Sequence, residues 1–281
     1  MNIDRSPFAP RQCRQEDLDS MSISLSVIMI VKNDSLRFRR ALSSVLAQKT
    51  ERLEIIVIDG GSTDGTLNEI AAHQDQLHYW ESGLDKGIAD AFNRGIAQAR
   101  GEFIAILNSD DTWELDTLRR VLDARKSHPQ ASVLCGAVRY LDPDSGYSYT
   151  RYPDPTALKL RMWVFHPALF VSRASYARVG GYEPQYTHAM DSEWCHRALT
   201  HGEKFEVVPA VLANMSLGGL SDRDFTVSLR QYRDSVICHG LCGRLEAWAY
   251  YTFFLTVKKT MLFPLLNPIK RLRDRFNHRN G

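Results

Sequence analysis

The stretch Phe103-Ile104-Ala105-Ile106-Leu107-Asn108-Ser109-Asp110-Asp111 constrains the chain more than any other. Its first five residues are apolar without a break, and a pair of carboxylates closes it. A continuous apolar run of this length, bounded by polar residues, reads as a strand covered on both faces of a parallel sheet. The acids then sit at the strand's carboxyl end, where open α/β sheets hold their ligands. Adjacent acids repel, and they are tolerated best with a cation or donor groups between them. The same residues also suit a solvated turn with an Asp capping the next helix.

The surrounding pattern favours the sheet. Residues 25–31 and 54–58 are further buried strands, the second ending at Asp59, and 77–81 is a short third. Phe38, Ala41, Leu42, Val45 and Leu46 have helical spacing behind Asp34 or Ser35 as a cap. Helices are expected over 66–73, over 88–99 with Gly101 as its stop, and over 115–126. Strand and helix in alternation predict right-handed crossovers and a mostly parallel, Rossmann-like sheet flanked by helices. Beyond a strand at 132–138 the pattern loosens. Residues 139–165 read as strand and loop around a site, 168–171 and 205–212 as strands, and 175–179, 191–200 and 224–240 as helices.

Composition bounds the class. With 281 residues, 44% hydrophobic and 24% charged, the chain suits a globular domain with an appendage. Residues 1–22 lack apolar periodicity and read as a disordered lead-in, 23–240 as the main domain, and 241–281 as a helical extension. That extension is aromatic (Trp248, Tyr250, Tyr251, Phe253, Phe254) and basic. Residues 258–281 hold seven Lys/Arg against one acid, and the remainder holds 28 basic and 32 acidic residues. Pro264 and Pro268 break the second apolar piece, so neither piece reaches the ~20 residues of a bilayer span. An amphipathic helix lying in a membrane surface fits, and so does a helix docked on the core. Five cysteines without a Cys-x-x-Cys pair, and no apolar segment near a basic start, are expected of a reduced cytoplasmic protein rather than a disulfide or zinc scaffold.

Asp59 precedes Gly60-Gly61-Ser62-Thr63-Asp64-Gly65, a turn whose glycines admit close approach of a ligand. It is not the dinucleotide fingerprint, which has Gly-x-Gly-x-x-Gly after the first strand. Lys86 or Arg94 can meet phosphate near the start of the helix at 88–99.

In order, Lys32-Asn33, Asp59-Gly60-Gly61-Ser62-Thr63-Asp64-Gly65-Thr66, Asp85-Lys86-Gly87 with Asp90-Ala91-Phe92-Asn93-Arg94-Gly95, and Asn108-Ser109-Asp110-Asp111 resemble the family 2 glycosyltransferases of GT-A fold. His166-Pro167-Ala168-Leu169-Phe170, Gly180-Gly181-Tyr182, Asp191-Ser192-Glu193 ahead of Arg197, and Gly218-Gly219-Leu220-Ser221 agree, so the likeness covers about residues 24–225. It looks most like the bacterial branch building exopolysaccharide or lipopolysaccharide units, the colanic-acid type.

The resemblance implies a nucleoside-diphosphate-sugar donor, with Asp59, Lys86, Asn93 and Asp110 at the nucleotide and Asp111 foremost at a Mg²⁺ or Mn²⁺ ion. The family's metal motif is usually Asp-x-Asp, and Asn108 stands at its first position here. Asp191 matches the family's general base for an inverting displacement, and a helix N-cap is its alternative reading. Glu193, His166 and Tyr182 are the candidates beside the acceptor. That acceptor is expected to be a saccharide or a polyprenyl-linked saccharide, met by peripheral contact at the inner face of the cytoplasmic membrane, with no nucleic acid involved. A sugar nucleotidyltransferase and a non-catalytic sugar-binding protein of the same fold are the competing readings.

Overall fold

The computed structural model describes residues 23–48, 50–142, 146–216 and 224–261. The expected lead-in at 1–22, the Gly218–Ser221 motif and the prolines at 264 and 268 lie outside the described residues.

The first half alternates as expected: β1 (Leu25–Val31), α1 (Ser35–Leu46), β2 (Leu53–Asp59), α2 (Thr66–His73), β3 (Tyr79–Ser82), α3 (Ile88–Gln98) and β4 (Phe103–Asn108). β3, β2, β1 and β4 lie side by side and parallel. Their apolar runs are unbroken because both faces of the sheet are covered. Leu25, Val27, Met29 and Val31 join Phe38, Ala41, Leu42 and Val45 of α1 in one core layer. Ile28, Ile56, Ile58, Ile104 and Ile106 point the other way, onto Ala91 and Phe92 of α3.

The second half adds β5 (Thr112–Trp113), α4 (Thr117–Ser127), β6 (Val133–Leu141), β7 (Ser148–Arg151), β8 (Leu169–Ser172), α5 (Arg173–Val179), α6 (Met190–Thr200), β9 (Phe205–Ser216), α7 (Phe225–Cys238) and α8 (Arg244–Met261). The described sheet runs β3-β2-β1-β4-β8-β6-β9-β5, with β7 paired to β6. β8 is antiparallel to both β4 and β6, and β9 is parallel to β6. This mixed α/β sheet with flanking helices is the expected fold class.

Three local expectations are corrected. Helix α3 stops at Gln98, and Ala99 is already extended, so Gly101 does not cap it. Gly101 instead passes against β1, where a Cβ would lie 2.5 Å from the Ser26 nitrogen and 2.8 Å from the Leu25 carbonyl carbon. Asp34 does precede α1, but its carboxylate does not cap the helix; it accepts from Arg37 and from the Ser109 hydroxyl, both at 2.9 Å. β9 continues past Leu212 to Ser216 because it follows β6 to Leu141, with a register shift between Gly136 and Val138 that leaves Pro209 unpaired. Proline has no N–H for a ladder, and an irregularity is where a strand tolerates it.

α6 and α7 are joined through His196, which is fully buried. Its Nε2–H donates to the Leu158 carbonyl and its Nδ1 accepts from the Ser235 hydroxyl, both at 2.9 Å. Burial pushes this imidazole down to about 4, although the Leu158 carbonyl opposes the shift. As pH falls below the ordinary histidine range the unfolded chain takes up a proton that the folded chain refuses. Stability is therefore expected to fall by on the order of 3 kcal/mol between about pH 6.5 and 4. Urea unfolding across that window should show the slope, and His196→Gln should flatten it.

Among the described residues no helix is long and apolar enough to cross a membrane. Tyr250, Tyr251 and Phe254 of α8 are half-buried and line a cavity with α7, while Leu245, Trp248 and Phe253 are exposed.

Candidate active site

The carboxyl ends of β1, β2, β3 and β4 are tied to one another by side chains. Asn33, just past β1, has φ +50°, a left-handed conformation that asparagine tolerates better than most residues. Its side-chain oxygen accepts from the Thr63 N–H at 2.7 Å, and its own N–H donates to the Ser62 hydroxyl at 2.7 Å. Asp59 is fully buried. Its carboxylate accepts from the Gly61 N–H at 3.1 Å, the Ser62 N–H at 2.9 Å, the Ser82 hydroxyl at 2.6 Å and the Ser62 hydroxyl. The acid expected to face a nucleotide therefore shapes the glycine-rich loop, with all its surface inside the protein.

Gly60 faces the side chains that line this edge. A Cβ there would collide with the Asp85 carboxylate and come within 3.2 Å of the Lys32 side chain. Lys86, expected at the nucleotide, is exposed, and its N–H donates to Asp90 at 3.2 Å. Asp85 and Lys32 approach the loop at Gly60. The glycine at 60 was the available signal, since it marks a backbone that another group touches.

Asn93, also expected at the donor, lies in α3 with its amide engaged elsewhere. Its oxygen accepts from the Tyr182 N–H at 2.7 Å and its NH₂ donates to the Tyr182 carbonyl at 2.8 Å. It clasps α3 to the Gly180-Gly181-Tyr182 turn. Gly181 is needed there, because a Cβ would strike the Asn93 amide.

At the end of β4, Asp110 is half-buried and Asp111 is 3% exposed. The Ser216 backbone and the Asn108 side chain both favour the charged form of Asp111, so the asparagine at the first motif position acts on the acid three residues on. Burial, reinforced by the charge of Asp110, still holds the Asp111 carboxyl well above the usual carboxylate range. A divalent cation is the partner that would relieve this repulsion, and carboxylate oxygens are the donors that Mg²⁺ and Mn²⁺ favour. Among the described residues no three His, Cys, Asp or Glu side chains gather tightly enough to hold a metal alone. The residues present thus fit an ion completed by the oxygens of a bound diphosphate.

The other half of the site reaches the same edge through β8. Ala105 pairs with Phe170 and Phe103 with Ser172 in antiparallel register, so the turn His166–Ala168 that leads into β8 lies beside the end of β4. The indole N–H of Trp113, just beyond Asp111, donates to the Pro167 carbonyl at 3.0 Å. His166 is half-buried against Phe92, with ring centres 5.0 Å apart, and its Nε2 is 3.4 Å from the Tyr182 hydroxyl. Burial lowers its pKa, and the charge of Asp191 opposes that shift, which places Asp191 in electrostatic reach of His166.

Asp191 is the second residue of α6, and Ala189 occupies the cap position. The N-cap alternative is thereby removed. Its carboxylate accepts from the next residue, from the Ser192 N–H at 2.7 Å and the Ser192 hydroxyl at 3.4 Å. Glu193 is 2% exposed, paired twice with Arg197 at 3.0 Å and accepting from His239 at 3.0 Å. It is a structural acid inside the second half. Tyr182 is likewise interior, 3% exposed and packed on Phe92 and Trp194.

The family model described as glycosyl transferase family 2 matches residues 26–180, just over half of the 281 residues. The chain belongs to glycosyl transferase family 2. Among its relatives, a glycosyltransferase of Mycobacterium tuberculosis is 34% identical over 181 residues, covering 62% of this chain and 68% of the relative. A PGL/p-HBAD biosynthesis glycosyltransferase of Mycobacterium bovis is 27% identical over 180 residues, covering 63% and 70%. Staphylococcus aureus TarS 1-349, solved with UDP-GlcNAc, superposes with TM-score 0.59 at 17% identity over 87% of this chain and 74% of that one. The mannosyltransferase PcManGT of Pyrobaculum calidifontis, solved with GDP-Man and Mn²⁺, gives TM-score 0.62 at 20% identity over 83% and 70%. At such identities the two structures show a shared GT-A architecture. The matched segment covers the loops after β1, β2 and β4 and the stretch from His166 to Gly180; Tyr182 lies two residues past it and Asp191 eleven.

Proposed function

We propose that this family 2 member is an inverting glycosyltransferase. It moves a sugar from a nucleoside-diphosphate sugar to a lipid-linked saccharide, in building a cell-surface polysaccharide at the inner face of the cytoplasmic membrane. The observation that carries the reading is the meeting of two halves at one sheet edge. Asp110 and Asp111 follow β4, and His166, within reach of the Asp191 charge, leads into the strand beside it. Structural neighbours solved with UDP-GlcNAc and with GDP-Man support a nucleotide-sugar donor.

In this mechanism the donor lies over the Gly60–Gly65 loop, which Asp59 holds in shape, with Lys32 and Asp85 beside it. The start of α3 offers N–H groups to the diphosphate, an arrangement that favours anions. Asp110 and Asp111 would hold Mg²⁺ or Mn²⁺, which supplies charge neutralisation as the diphosphate departs. Asp191 takes the proton of the acceptor hydroxyl while that oxygen bonds to the anomeric carbon and the bond to the diphosphate breaks. One direct displacement inverts the configuration. Burial keeps His166 neutral, so it adds no cation beside the base. Asn93 acts as a positioning residue for the turn at Tyr182. The exposed Leu245, Trp248 and Phe253 of α8 form the membrane-facing side.

A donor screen tests this directly. UDP, GDP, dTDP and CMP sugars are added with and without Mn²⁺, and unfolding temperature and sugar release are followed. A donor at a hundred times its Kd stabilises by about 2.7 kcal/mol, a rise of roughly 5–10 °C, expected only with metal present. A panel in which no nucleotide sugar shifts the transition or is hydrolysed removes the proposal.

A further inference from the structure

A cavity of about 290 Å³ lies at the opposite end of the sheet from the candidate active site. Strand direction fixes its place. Phe103, the first residue of β4, pairs with Ser172, the last of β8, and Val133, the first of β6, pairs with Val171. The cavity opens beside these pairs, lined by Phe103, Ser132 and Ser172 among others, whereas Asp110 and Asp111 follow the far end of β4. The six residues of β4 put roughly 17 Å between the two ends. No residue lining this cavity has a part in the proposed transfer reaction.

Three arginines converge on it, Arg125 from α4 and Arg173 and Arg178 from α5. Two of them are held from behind. Arg178 donates from Nε and Nη2 to the two oxygens of Glu203, both at 2.8 Å, and Glu203 is itself buried and accepts from the Ser175 hydroxyl at 2.6 Å. Arg125 donates from Nε to Glu102 at 2.6 Å and from Nη1 to the Pro129 carbonyl at 2.5 Å, with its guanidinium 5.9 Å from the Phe103 ring centre. Each of these forks keeps one amino group, Nη1 of Arg178 and Nη2 of Arg125, that donates to no described residue. Arg173 is anchored by its backbone, whose N–H donates to the Glu102 carbonyl at 2.8 Å. Its side chain is exposed and has no partner among the described residues. Three cations thus face two acids, Glu102 and Glu203, and the cavity keeps a positive balance with donors already oriented.

Planar guanidinium forks suit phosphate, whose oxygens accept paired N–H bonds. The remaining wall carries the methyl groups of Ala131 and Ala174 and the hydroxyls of Ser132 and Ser172, which suit a small polar body attached to that phosphate. The volume sits at the low end of ligand pockets, which begin near about 300 Å³, so the occupant is smaller than a nucleotide sugar. We propose that this cavity binds a small soluble phosphomonoester, its phosphate held by Arg125, Arg173 and Arg178. A ligand here leaves the donor edge open, and the inference does not rest on the transferase reading.

The test titrates the full chain with glycerol phosphate in phosphate-free buffer and reads the heat of binding. One saturable site is expected, at least tenfold tighter for glycerol phosphate than for acetate or glycerol. Arg173→Ala removes an exposed side chain that holds nothing else in place, and it should weaken binding at least tenfold. Ala174→Glu, which sets a carboxylate at an exposed position of the wall, should do the same. Arg40→Ala takes an equal charge from an exposed position on α1 and should leave binding unchanged. Absence of a saturable heat, equal binding of acetate, indifference to both cavity substitutions, or an equal loss in Arg40→Ala overturns the proposal. So does a response confined to phosphatidylcholine vesicles containing phosphatidic acid, which would make the ligand a lipid surface. The donor screen reports separately on the transferase reading, and neither outcome decides the other.

Discussion

Asp191→Asn is expected to lower the rate of sugar transfer by a factor of about 10²–10⁴, the usual contribution of a positioned general base, while donor binding is retained. The substitution is nearly isosteric. An asparagine oxygen can still accept from the Ser192 N–H, now at 2.7 Å, so the first turn of α6 keeps its shape. Only the ability to take a proton disappears. Donor-dependent thermal protection should match the parent protein, because the proposed mechanism sets the donor against the loops after β1, β2 and β4. Unimpaired transfer by Asp191→Asn would move the base elsewhere and refute the mechanism.

Glu193→Ala should instead act on stability, by roughly 3–5 kcal/mol, the range for removing one partner of a buried ion pair. The side chain lies within α6, two residues after Asp191, but points inward to Arg197 and His239. Without it, Arg197 keeps only the Val179 and Gly181 carbonyls, at 2.8 and 2.7 Å, and its charge is left inside the protein without a counter-ion. A fall in Tm of roughly 10 °C is expected. Arg197→Met should cost a similar amount, and the double variant less than the sum, since the second change removes the stranded charge. A Glu193→Ala protein of normal Tm but low turnover would instead place this acid at the acceptor.

Most of the architecture could be read from residue patterns, and the reason is physical. Strands covered on both faces need unbroken apolar runs, and their helices need a single apolar stripe, so β1, β2, β4 and α1 announced themselves. The pairing of β8 between β4 and β6 did not, because the four residues of Leu169–Ser172 carry no mark of direction or partner. The site was half legible. Position along the chain placed Asp59, Asp110, Asp111 and Asp191 at or beside strand and helix ends. Whether a carboxylate faces solvent or the interior depends on donors brought from elsewhere: Ser82 for Asp59, Arg197 and His239 for Glu193. Such donors cannot be assigned by spacing. Asn93 shows the same limit, as its partner stands 89 positions away.

That pairing sets a rule for recombining relatives. The loops after β1, β2 and β4 and the region from His166 to Asp191 belong to different stretches of chain, and a hybrid joining one relative's front portion to another's rear portion would look simple to make. Here the seam crosses a two-bond link between one amide and one peptide unit, and the opposing glycine leaves no room for a larger residue. A functional hybrid must inherit the asparagine and the glycine–tyrosine step together, whichever parents contribute the remainder.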